Sequence, residues 1–147
     1  MQDVLVPTPI GVGPQYHPRP AIHAACAPAP LRTGARFHLE LFASRRVAIV
    51  PSQVGVGSHC RARLWTLDPT GVVRFERRAT LGDFFAVWGQ ALSRARLLSF
   101  RGTVRVYLNG APRRGDPRRL PLRDGDEVVL EVGGLVPPHQ SYRFPRR

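Results

Sequence analysis

The chain has 147 residues, 43% of them hydrophobic, which is room for one compact domain with a real core and a tail. Its net charge is +12 and all 22 basic residues are arginine; such lysine-free, Arg/Ala/Gly/Pro/Val-rich usage reflects a GC-rich genome, so basicity alone does not argue for nucleic acid, although its field still favours anions. No apolar run approaches the ~20 residues of a membrane span, and MQDVLVPTPIGVG has neither a basic n-region nor a long apolar stretch, so the sequence as written is expected to be soluble and cytoplasmic.

Residues 1–33 are rich in proline and small residues with no sustained period, and read as an extended arm that is either loose or laid along the domain. The domain follows over 34–136, with a basic tail at 137–147. Phe37 to Val50 is a hairpin: Phe37, Leu39 and Leu41 face one way, Ser44-Arg45-Arg46 turns, and Pro51 stops the return strand. Cys60 to Leu67 reads as a third strand, with Cys60, Ala62 and Leu64 opposite Arg61, Arg63 and Trp65. Asp68-Pro69-Thr70-Gly71 is a turn and Val72 to Glu76 a fourth strand.

The clearest helix start is Thr80, which can cap free amides while Asp83 lies in the first turn. Leu81, Phe84, Phe85 and Trp88 form one apolar stripe, and Gly89 ends it. Ala91 to Phe100 fits a short second helix or a buried loop. In TVRVYL, Val104, Val106 and Leu108 alternate with polar neighbours up to the Asn109-Gly110 turn. After an arginine-rich connection, Arg123-Asp124-Gly125-Asp126 turns the chain into a strand with Val128, Leu130 and Val132 on one face.

The predicted class is α+β: a β-grasp-like mixed sheet with one main packed helix, its core in residues 60–132, and 37–50 as an added hairpin. Glu127 and Glu131 then lie between the strand of Arg61 and Arg63 and the strand of Arg105 and Tyr107. Cross-strand pairing predicts a solvated, internally neutralised face there rather than a stacking platform for single-stranded nucleic acid.

LRDGDEVVLEVGG resembles the closing strand of ubiquitin-like sulfur carriers and related β-grasp modules. A longer resemblance is to a family found mainly in actinobacteria, with HLxLF, TxDxTGxx, TLGxFFxxWG, VxVxxNG and DxDE motifs in this order. Here these are His38 to Phe42, Thr66 to Val73, Thr80 to Gly89, Val104 to Gly110 and Asp124 to Val128. The family brings no established activity, but many members look exported or membrane-anchored, which implies an envelope association. Relatives carry L-H-T-H-D where this chain has Leu64-Trp65-Thr66-Leu67-Asp68, so any metal bound by that histidine pair has no counterpart at Trp65 and Leu67.

Cys26 and Cys60 are the only thiols. Free or buried thiols are the first reading, a disulfide stapling the arm to the domain the second, and a zinc or copper site with His23 and His59 the third. His38, beside Glu40 on an outward strand face, reads as a surface residue. Positive charge gathers at Arg113, Arg114, Arg118 and Arg119, the candidate anion or nucleic-acid contacts, and at Arg143, Arg146 and Arg147. No catalytic motif, metal site or cofactor site is recognised. The leading expectation is a non-enzymatic interaction module for a protein or cell-envelope partner. The alternatives are a nucleic-acid binder using the arginine loops, and a sulfur carrier processed at Gly133-Gly134, where a free carboxylate would be needed.

Overall fold

The computed structural model describes residues 26–146; His23 and most of the proline-rich arm lie outside them. Among the described residues, ten strands and one α-helix form an α+β fold. They are β1 (Ala35–Ala43), β2 (Arg46–Ala48), β3 (Leu64–Thr66), β4 (Val72–Phe75), α1 (Leu81–Trp88), β5 (Leu92–Ser93), β6 (Arg96–Leu97), β7 (Phe100–Arg101), β8 (Arg105–Leu108), β9 (Ala111–Arg113) and β10 (Glu127–Val132). The main sheet runs β3-β4-β1-β10-β8-β9, with β2 also on β1, and β5-β6-β7 form a small separate meander. No helix among the described residues is long and apolar enough to cross a membrane.

The centre of the sheet is not where the alternation pattern put it. β1 pairs with β10 in parallel from His38↔Glu127 to Ala43↔Val132. On its other edge, β1 pairs antiparallel with β4 through its first half and with β2 through its second. The predicted added hairpin therefore supplies the central strand, and the predicted core strand 60–67 shrinks to β3 at the sheet edge. The Asp124-Gly125-Asp126 turn fixes this arrangement. Arg36 N–H donates to Asp124 Oδ1 at 2.9 Å, Gly125 N–H to Arg36 O at 2.7 Å, and His38 N–H to Asp126 O at 2.9 Å.

The helix forms as its caps dictate. Thr80 Oγ1 accepts from Asp83 N–H while Thr80 N–H donates to the Asp83 carboxylate at 2.8 Å, and Gly89 closes the helix at φ 75°. Leu81, Phe84, Phe85 and Trp88 are buried against Phe37, Leu39 and Leu41 of β1 and Val128, Leu130 and Val132 of β10. Between β1 and β2, Ser44 and Arg45 both take positive φ (49° and 65°), the geometry of a two-residue hairpin turn matched to strand twist.

Residues beyond Gly133 pack on the sheet. They run back along the opposite face of the β1–β10 pair from Val136, whose N–H reaches Glu131, to Pro145, whose carbonyl takes a 2.7 Å hydrogen bond from Arg36.

Candidate functional site

Two polar constellations stand apart from the apolar core. The first is a groove of about 650 Å³ bounded by the β5–β6 turn, β9 and residues 114–121. Arg94, Arg113, Arg114, Arg118 and Arg119 line it. Asp116 is its one carboxylate. Its side chain caps a 3₁₀ turn over Pro117–Arg119 and clasps Arg118 at 2.7 to 3.1 Å. Those bonds hold the Asp116 carboxyl down at about 2 and raise the Arg118 guanidinium. None of the other four arginines takes part in an ion pair among the described residues.

The groove wall is anchored to the helix start. Leu81 N–H donates to Leu120 O and Leu122 N–H to Ala79 O, each at 2.9 Å. A Cβ at Gly82 would stand 2.8 Å from Arg118 O, so the approach of this loop to α1 requires glycine there.

The second constellation lies on the sheet face away from the helix. Glu127 and Glu131 are fully buried rather than solvated, because the segment after Gly133 covers them. Arg105 does pair with Glu131 across the strands, at 3.2 Å, while Arg61 and Arg63 turn elsewhere, to Glu76 and Asp83. Glu127 instead meets His38, whose Nδ1 lies 3.0 and 3.1 Å from its two oxygens. The other ring nitrogen, Nε2, donates to Thr70 O at 2.8 Å. Both nitrogens thus face acceptors, so the Nδ1–Glu127 contact calls for a proton or another cation between them. Burial pushes the Glu127 carboxyl up, offset in part by His38. Tyr142 stacks on the imidazole at 3.5 Å, and His139 approaches Glu40 at 2.9 Å, which raises its own pKa. His38 is accordingly a buried residue, not a surface one.

Cys26 and Cys60 form a disulfide. The structure thus pairs the two sulfurs, where free thiols were the first expectation and a metal site with His23 and His59 the third. Beside the bridge, Arg61 lies 3.6 Å over the Trp65 ring, and Trp65 Nε1–H donates to Leu31 O at 2.8 Å. The end of the arm therefore lies over Arg61 and Trp65.

The structure brings Arg113, Arg114, Arg118 and Arg119 together as one site and adds Arg94. Arg143 and Arg146 lie on the segment across the opposite sheet face, and Arg147 is outside the described residues. Arg94 sits in the stretch whose local pattern was ambiguous, so no local signal marks it. The signal for the His38 cluster is the aromatic pair Tyr142 and Phe144 in an otherwise polar tail. Gly133 and Gly134 turn the chain out of β10, and Gly134 O accepts from Arg105 at 3.0 Å. Comparison of the chain with family models, curated proteins and solved structures finds no match in any of the three.

Proposed function

We propose that this chain is a non-enzymatic binding module whose arginine groove takes a phosphate-bearing component of the cell envelope. One observation carries the reading: five arginines line one groove against a single carboxylate, itself committed to Arg118. Guanidinium forks match phosphate oxygens in pairs, so such a lining favours multivalent phosphate over a lone carboxylate. The Cys26–Cys60 disulfide belongs with an oxidising compartment and thereby favours an envelope partner over nucleic acid. The finer fold reading, β-grasp, draws support from the parallel β1–β10 pair, antiparallel strands on either side, and one helix across one face.

The test is co-sedimentation of the full chain with phosphatidylglycerol vesicles, against phosphatidylcholine vesicles and a single-stranded oligonucleotide. Binding to the anionic vesicles is expected to fall steeply with salt and to vanish in the Arg113→Ala/Arg114→Ala/Arg118→Ala/Arg119→Ala variant. Preference for the oligonucleotide at equal phosphate would overturn the envelope assignment, and binding that survives the substitutions would overturn the groove. Intact mass of the natively isolated chain, before and after reduction, checks the disulfide.

A further inference from the structure

We infer that His38, Glu40 and Glu127 form a binding site for a divalent transition-metal ion of the zinc type, closed by the segment that carries His139 and Tyr142. This site is separate from the arginine groove and does not depend on it. His38 Nδ1 lies 3.0 Å from Glu127 Oε1 and 3.6 Å from Glu40 Oε1, and the three ligand atoms all fall within 4.8 Å of one another. Bonds of about 2.0 Å in tetrahedral geometry separate ligand atoms by about 3.3 Å. The two Nδ1 separations bracket that value.

The hydrogen-bond pattern points the same way. Because Nε2–H is committed to Thr70 O, the Nδ1 lone pair and two carboxylates converge on one point, and only a proton or a cation can sit among them. The carbonyl behind the imidazole is the outer partner that metal-bound histidines characteristically have. Two carboxylates with a neutral imidazole match a divalent charge, and the imidazole selects zinc-like ions over calcium or magnesium. Glu127 is fully buried, its backbone N–H held by Asn109 Oδ1 at 2.8 Å, and stacking on Tyr142 fixes the His38 ring plane. His139, largely exposed, reaches the Glu40 carboxylate at 2.9 Å from the covering segment and so bears on the site through Glu40.

The experiment titrates the full, disulfide-intact chain with Zn²⁺ by calorimetry and with Co²⁺ by visible absorption. One ion per chain is expected, with the d–d bands of a low-coordinate site and a Zn²⁺-induced shift of the His38 Nδ1 resonance while Nε2 stays protonated. Glu40→Gln, on a part-exposed side chain, should keep the far-UV circular dichroism and weaken affinity by at least about tenfold. His139→Ala, on an exposed imidazole, should weaken it severalfold. Absence of Zn²⁺ uptake by the folded chain would overturn the site, as would binding that leaves His38 Nδ1 unmoved or that both variants leave unchanged, since either result places the ion on other histidines.

Discussion

The two faces of the main sheet are buried by different means. On the inner face Phe37, Leu39, Leu41, Val128, Leu130 and Val132 meet the apolar stripe of α1, and volume is what matters. On the outer face Arg36, His38, Glu127 and Glu131 are buried just as well, but each is held by a specific partner: Pro145 O, Thr70 O, His38 and Arg105 in turn. Apolar packing tolerates rearrangement, whereas a buried charge stripped of its partner keeps its full desolvation cost. The inner face should therefore respond to lost volume and the outer to lost pairing.

The largest effect expected is on the inner side, where Trp88→Ala should cost about 3–5 kcal/mol through the cavity left among Phe84, Phe85 and the sheet, read from the urea midpoint. Arg105→Ala removes little core volume yet leaves Glu131 buried, with an expected loss of about 2–3 kcal/mol. That lies below the range for a fully buried pair because Arg105 is 30% exposed. Adding Glu131→Leu to an Arg105→Met chain should recover most of this; failure to recover would mean that shape, not pairing, governs the outer face too. Tyr142→Ala, which lifts the ring off His38, should cost about 1 kcal/mol and speed hydrogen exchange at β1 and β10.

The smallest effect comes from the groove, outside both faces. Because the folded Asp116 carboxyl titrates at about 2, below its unfolded value, its contribution is complete above about pH 4 and disappears as pH falls through 2. A carboxyl ¹³C titration should show that low midpoint. A midpoint at the ordinary aspartate position would mean the Arg118 clasp is not formed in solution.

What could be read from the residues follows the same division. The helix was legible to the residue, because Thr80, Asp83 and Gly89 act within one turn of their own positions. The inner alternation of β1, β8 and β10 was equally plain. Strand order was not: alternation marks 60–67 and the first arm of the 37–50 hairpin as equally good strands, and only the docking of the Asp124–Asp126 turn on Arg36 and His38 decides which one β10 joins. The outer face was misjudged for a related reason. Period-2 alternation says which side chains leave the inner face, not whether something lies over them, and residues 135–145 have no period of their own. The four arginines were read as neighbours in loops, but their union with Arg94 depends on where the β5–β6–β7 meander folds.

Biosynthesis meets a constraint in the way β1 is completed. Among the described residues it is the first strand of the sheet to be made, yet His38 waits for Glu127, 89 positions later, and the Arg36 side chain waits for Pro145, 109 positions later. A nascent chain therefore carries its central strand unpaired on one edge and uncovered on one face until the ribosome has passed residue 145. Contacts of such long sequence separation make for slow folding.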